Sequence, residues 1–143
     1  MFVKQVLQSK GTEVWTITKE ATVYEALQLL ADKGIGALLV VEQDKPVGIF
    51  SERDYARKVF LLGKSSKETL VEQVMHAKVM YVRPDQTLEE CMALMTHKHI
   101  RHLPVMEDDK LVGLISIGDV VKAMFDEKEF MIEQLVKYVQ GGR

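Results

Sequence analysis

Apolar positions along this chain fall into two rhythms, helical and strand-like, and the same order of rhythms occurs twice. Phe2, Val3, Val6 and Leu7 are spaced as one face of a short helix. The pattern of Val3-Lys-Gln-Val-Leu7 returns as Val71-Glu-Gln-Val-Met75, at a shift of 68 residues. Val14–Thr18 and Val79–Arg83, rich in β-branched and aromatic residues, predict short strands. Each leads to a threonine, Thr22 or Thr87, with a glutamate three residues on at Glu25 or Glu90. That spacing is a capping box, in which the two side chains satisfy backbone donors at a helix start. Apolar residues at 23, 26, 27, 29 and 30, and at 88, 91, 92, 94 and 95, carry these helices to about Lys33 and Lys98.

Ala37–Val41 and Leu103–Met106 are unbroken apolar runs, as expected of strands covered on both faces. Gln43-Asp-Lys45 and Asp108-Asp-Lys110 predict hairpin turns, with Pro46–Phe50 and Leu111–Ile115 as return strands. Ser51 and Ser116 open a further pair of helices, ending near Leu62 and Phe125. Gly63-Lys-Ser-Ser-Lys67 reads as a linker, and Gly11-Thr-Glu13 as the site of a three-residue difference between the copies. Asp126–Gln140 predicts a separate amphipathic helix, with Phe130, Met131, Leu135, Tyr138 and Val139 near one face and Gly141-Gly142 ending it. This last helix is read two ways, as a cap on the core or as a contact with a second copy.

The duplication is sharpest where Gly48-Ile-Phe-Ser-Glu-Arg-Asp54 returns as Gly113-Leu-Ile-Ser-Ile-Gly-Asp119, a shift of 65 residues. No insertion or deletion interrupts that shift between Thr22 and Phe60. Each copy reads β-α-β-β-α, which places the chain in the mixed α/β (α+β) class, with short helices at the N- and C-terminal ends. The expected division is 1–63 and 64–143. Each part is near the size at which one core is marginal, so the two are expected to bury their apolar faces against each other.

Composition narrows the function. With 143 residues, 47% hydrophobic and 28% charged, the chain is an ordinary globular one. The net charge of −2 comes from interspersed signs without a basic stripe, so nucleic-acid binding is not expected. The single cysteine, Cys91, excludes an internal disulfide and matches Ala26 on the same helical face, so it reads as a small core residue in a reducing compartment. The longest apolar stretch is too short to span a bilayer, and a cytoplasmic protein with no membrane partner is expected. No nucleophile with a matching base, no phosphate loop with its lysine and no metal-ligand set is present, so the chain is expected not to be an enzyme. His97, His99 and His102 lack acidic or cysteine partners beside them and read as packing or solvent-facing residues. Trp15 and Tyr24 read as packing residues, and the eight methionines as core filler.

The repeated turn carries the candidate chemistry. A serine three residues before an aspartate, at a helix start, is first of all a capping pattern. A strand running through a tight turn into a helix also presents unpaired N–H groups to an anion. A serine hydroxyl adds a donor, an aspartate can accept both hydroxyls of a ribose, and Arg53 and Arg101 add positive charge. Together these groups suit a ribonucleotide.

At Gly36-Ala-Leu-Leu-Val40, Arg101-His-Leu-Pro-Val105 and the paired Gly-x-x-Ser-x-x-Asp stretches, the chain resembles the cystathionine-β-synthase (CBS) domain family. The resemblance runs from about Val3 to Phe125. It implies tandem CBS motifs packed about a pseudo-two-fold axis into one Bateman module, with two clefts that hold adenosine derivatives: AMP, ADP, ATP, NAD or S-adenosylmethionine. Carried onto this sequence, it implies that a first cleft takes the base against Thr16, Ile17, Gly36, Ala37 and Leu38. Ser116, Gly118 and Asp119 would meet the ribose and phosphate there, with Arg101 reaching the phosphate. A second cleft would take the base against Tyr81, Val82, His102 and Leu103, with Ser51, Arg53 and Asp54 on the ribose and phosphate. Gly118 stands where the first copy has Arg53, and Arg101-His102 stand where it has Gly36-Ala37, so unequal clefts are expected. The resemblance further implies a homodimer stacked through the helices after Ser51 and Ser116. The expected function is a regulatory adenine-nucleotide sensor with no required cofactor and an unknown regulated partner; the alternative is a purely structural interaction module with empty clefts.

Overall fold

The computed structural model describes residues 1–141. In chain order its elements are α1 (Val3–Lys10), β1 (Thr16–Thr18), α2 (Val23–Lys33), β2 (Ala37–Glu42), β3 (Lys45–Ser51), α3 (Glu52–Tyr55), α4 (Val71–Val74), α5 (Leu88–Lys98), β4 (His102–Glu107), β5 (Lys110–Ser116) and α6 (Ile117–Gly141). A π-helical turn over Ala56–Phe60 extends α3. The helix–strand–strand order recurs as the repeat predicts, in two small sheets: β1-β2-β3, with β1 parallel to β2, and the antiparallel pair β4-β5.

Local chemistry accounts for the matching halves. Thr22 and Thr87 accept from the backbone N–H of Glu25 and Glu90, each at 3.1 Å, closing the first turns of α2 and α5. The two-residue hairpin loops Gln43-Asp44 and Asp108-Asp109 hold all four residues at φ between 51° and 64°. Positive φ at both central positions is the geometry whose twist matches a right-handed hairpin.

Five expectations are corrected. The strand expected over Val14–Thr18 shortens to Thr16–Thr18. Its counterpart over Val79–Arg83 reduces to one parallel bridge, Val82 to Val105. The helices ending near Phe125 and starting at Asp126 are one continuous 25-residue helix, because no glycine or proline interrupts the register there. Gly141 lies within that helix rather than after it, and Gly142 lies outside the described residues. The distal half of α6 does not cap the core: Phe130, Leu135 and Tyr138 are exposed at 61%, 62% and 77%.

Two apolar clusters form the interior, and the short lead helices are exchanged between them. Val3, Val6 and Leu7 of α1 pack with Leu88, Cys91, Met95, Leu103, Val105 and Ile115 of the second copy. Val71 and Val74 of α4 pack with Val23, Leu30, Leu38, Val40 and Phe50 of the first. Each copy thus closes its core with the helix that precedes the other copy, fastened by equivalent bridges from Phe2 to Thr87 and from Leu70 to Thr22. Fully burying a side chain such as Phe50 stabilises by about 1.5–3 kcal/mol, so the exchange ties the halves together. Gly48 and Gly113 permit it. A Cβ at Gly113 would lie 2.6 Å from Leu7 Cδ2, and one at Gly48 would lie 2.4 Å from Met75 Sδ. Among the described residues, no helix is long and apolar enough to cross a membrane.

Candidate functional site

Two of the cavities where the halves meet have Gly36 and His102 in both walls. The first, about 240 Å³, is walled by the end of α1 and the loop after it (Lys10, Glu13, Val14, Trp15), by Ile35, Gly36 and Ala37 before and in β2, and by His102, Leu114, Ser116 and Asp119. The second, about 550 Å³, is walled by Ser51 at the end of β3, by Arg53, Asp54, Arg57 and Lys58 from α3 and its extension, by His76, and by His99, Ile100 and Arg101 leading into β4.

The serine–aspartate pairs close the helix caps in full. Ser51 Oγ accepts from Asp54 N at 3.2 Å, while Asp54 Oδ2 accepts from Ser51 N and Ser51 Oγ, each at 3.0 Å. Ser116 Oγ accepts from Asp119 N at 3.1 Å, and Asp119 Oδ2 accepts from Ser116 N at 2.8 Å. The helix starts hold fewer free donors than the sequence implies. Glu52 N donates to Gly36 O at 3.1 Å, and Ile117 N donates to Arg101 O at 2.8 Å. Positive charge for an anion must therefore come mainly from side chains.

Here the two clefts diverge. In the first, Lys10 Nζ pairs with Asp119 Oδ2 at 2.6 Å and donates to Leu114 O at 2.9 Å. Burial alone would raise the Asp119 pKa, but the Lys10 contact and the Ser116 N–H outweigh it and hold the carboxyl below its ordinary value. Burial, and then the nearby Lys10 charge, push His102 below the ordinary imidazole value, against a smaller opposing pull from Asp119. In the second, Asp54 Oδ1 is paired with Lys58 of its own helix at 3.3 Å, and Lys58 Nζ also donates to Val74 O at 3.0 Å.

Of the residues carried over for the first cleft, Gly36, Ala37, Ser116 and Asp119 come together in its wall. Thr16 and Ile17 do not line it: β1 runs past the cavity, and Val14 and Trp15 face it instead. Leu38 is fully buried among the first core's side chains. Gly118 is outside the wall, and Arg101 lines the second cavity. For the second cleft, Ser51, Arg53, Asp54 and His102 come together. Val82 and Leu103 turn into the second core, while Tyr81 lines a separate groove with Lys45, Pro46 and Arg83. Sequence reasoning missed Lys10, Arg57, Lys58 and His76. Lys10 and His76 sit in or after the lead helices, whose shift of 68 takes them out of register with the 65-residue repeat. Trp15 is more than packing: it borders the first cavity, with Lys33 Nζ 4.2 Å from its ring centroid. Among the described residues, no group of three or more histidine, cysteine or acidic side chains is placed to hold a metal ion.

The family model for the CBS domain matches twice, over residues 3–60 and 71–126. The chain is a CBS domain pair. A curated relative, the mitochondrial CBS domain-containing protein CBSX3 of Arabidopsis thaliana, is 39% identical over 98% of this chain and 72% of its own length. The solved structure of a putative signal-transduction protein with CBS domains from Burkholderia ambifaria is 56% identical, with a TM-score of 0.83 over 87% of this chain and 93% of that one. More distant is the CBS domain pair of protein MJ0100, solved in complex with 5′-methylthioadenosine and S-adenosyl-L-methionine. It is 22% identical, with a TM-score of 0.76 over 89% of this chain and 98% of that one, a likeness of fold.

Proposed function

We propose that this CBS domain pair is a non-catalytic sensor that holds an adenine nucleotide, drawn from AMP, ADP, ATP and NAD, between its two motifs. The observation that carries the reading is the mixed parentage of each wall. In the second cleft Ser51, Arg53 and Asp54 of one copy face Arg101 and His102 of the other, and in the first cleft Gly36 and Ala37 face Ser116 and Asp119. A ligand there touches both halves at once, so it favours whichever arrangement of the halves it fits better. The MJ0100 pair, which holds adenosine-containing ligands on the same fold, supports the choice of ligand class. The reading includes a homodimer, supported by the apolar residues exposed along α6, and a reducing, cytoplasmic setting, supported by the single buried thiol.

Thermal unfolding with increasing AMP, ADP, ATP or NAD tests the reading. A ligand that binds only the folded form raises the midpoint with concentration, by an increment that grows as the logarithm of ligand over Kd. No shift with any of the four at millimolar concentration would sink it.

The alternative, a purely structural interaction module, draws support from the completed capping boxes, which give both serine–aspartate pairs a role without any ligand. Asp54→Asn and Asp119→Asn separate the two. The amide oxygen still caps the helix, so a structural module loses at most the partly exposed ion pair with Lys58 or Lys10, less than about 1 kcal/mol, whereas a sensor loses nucleotide affinity.

A further inference from the structure

We infer that the second cleft, and not the first, is the seat of adenine nucleotides that carry a di- or triphosphate chain. The inference rests on the nucleotide-sensor reading above and assigns its charge class. Four cationic side chains, Arg53, Arg57, Lys58 and Arg101, converge on the wall of the second cavity against two acidic ones, Glu52 and Asp54. The first cavity has one cation, Lys10, against Glu13 and Asp119. Formal charge is therefore 4 − 2 = +2 in one cleft and 1 − 2 = −1 in the other.

The contrast is built residue by residue into the repeat. At the 65-residue shift, Arg53 becomes Gly118, Lys58 becomes Ala123, and Arg101 corresponds to Gly36. Arg57 becomes Lys122, which is not part of the first wall. The one cation of the first cleft is already committed to Asp119 and the Leu114 carbonyl. In the second, Lys58 is committed to Asp54, but among the described residues Arg53, Arg57 and Arg101 enter no ion pair. Three arginines gathered on one concave wall repel one another, and a polyanion relieves that repulsion while offering planar oxygen pairs to their guanidinium forks.

Size and backbone agree with charge. A cavity of about 550 Å³ lies within the roughly 300–1,000 Å³ of small-molecule sites, while one of about 240 Å³ falls below that range. Arg57 and Lys58 sit in the π-helical turn Ala56–Phe60, whereas the matching residues of the second copy lie in regular helix. Such wide turns concentrate at functional sites. Here the turn carries two cations of the wall.

Calorimetric titration of the full chain with adenosine, AMP, ADP and ATP, in metal-free buffer at fixed salt, tests the assignment. Affinity is expected to rise from AMP through ADP to ATP and to fall steeply with added salt. Arg57→Gln and Arg101→Gln, each at an exposed position, are expected to weaken ADP and ATP by about tenfold or more, the scale of one charge-assisted hydrogen bond, and adenosine by less than about twofold. ATP binding no tighter than AMP, or both variants weakening adenosine as much as ATP, would overturn the assignment while leaving the sensor reading in place. Failure of all four ligands to bind would overturn the assignment, and failure of NAD as well would remove the sensor reading too.

Discussion

Lys10 and Asp119 are 109 residues apart in sequence, yet Nζ of one lies 2.6 Å from Oδ2 of the other. The contact joins the end of α1 to the first turn of α6, and both residues line the smaller cleft. Asp54, the counterpart of Asp119, meets only a lysine of its own helix, so the two clefts differ in what a ribose would encounter first. A sugar hydroxyl reaching for Asp119 must share or displace an ammonium group supplied by the exchanged helix.

Removing that ammonium should release the carboxyl. Lys10→Met is expected to raise the Asp119 pKa toward the ordinary carboxylate range, read by carbon-13 NMR titration. The direction follows from a folded-state value held below the unfolded one. The stabilisation is present above the unfolded pKa and is lost as pH falls through the folded pKa. Both side chains remain partly exposed, so the loss of stability at neutral pH should stay below about 1 kcal/mol. An unmoved Asp119 titration would mean that the pair does not persist in solution.

His102 gives a pH dependence of the same sign, set in a higher pH range. Burial holds its pKa below the ordinary value in the folded state, so the unfolded chain takes up the proton first, near 6.5. Stability should therefore fall as pH drops below about 6.5, and level off once the folded form also protonates. Urea unfolding of wild type and His102→Gln between pH 7.5 and 5, a range spanning roughly that value, isolates this residue. The wild type is expected to lose stability relative to the variant as pH falls. A constant difference would show that His102 takes up its proton equally in both states.

The duplicated architecture was legible because hydrophobic period, capping threonines and turn residues all recur in step, and each is a local signal. What escaped the sequence is non-local. Nothing in Val3-Lys-Gln-Val-Leu7 says that its apolar face closes the far copy rather than the near one, since an amphipathic face has no address. For the same reason Lys10 could not be assigned to the first cleft from its position in the chain. The displacement of Thr16 and Ile17 by Val14 and Trp15 is a matter of where β1 begins, and strand ends are poorly marked when the flanking residues are equally β-prone. The helix starts looked open to an anion because the carbonyls of Gly36 and Arg101 that receive the first N–H groups lie 16 residues upstream of their donors, Glu52 and Ile117. The join within α6 was misplaced because the repeat ends near Phe125 while the helix does not.

The glycines that begin each Gly-x-x-Ser-x-x-Asp stretch have a packing reason. Gly113→Ala places a methyl group 2.6 Å from Leu7 Cδ2, so the exchanged helix must move or Leu7 must leave its rotamer. Overpacking of this kind costs about 1–3 kcal/mol, read as a lower urea midpoint. Leu7→Ala alone opens a cavity and is expected to cost about 2–5 kcal/mol. In the double variant the smaller side chain makes room for the new methyl, so the combined loss should be clearly less than additive. Strict additivity would mean that Leu7 does not press on Gly113 in solution.

The distal half of α6 is the least explained part of the fold by internal packing. Phe130, Met131, Ile132, Leu135, Val136, Tyr138 and Val139 are all exposed, a contiguous apolar surface of the kind that marks an interface. Phe60, Leu61 and Leu62 at the end of the helix that follows the first serine–aspartate turn, and Phe125 at the position within α6 that matches Phe60, expose further apolar surface. With a second copy as the partner, Leu135→Glu should bury an unpaired charge in each subunit and convert a two-chain mass to a one-chain mass in light scattering. Because Leu135 belongs to neither core cluster, far-ultraviolet circular dichroism at low temperature should be unchanged. Thermal stability should become independent of protein concentration, since mass action no longer couples folding to assembly. A wild-type chain that already scatters as a single copy, or a variant that keeps the two-chain mass, would refute a homodimer built on this helix.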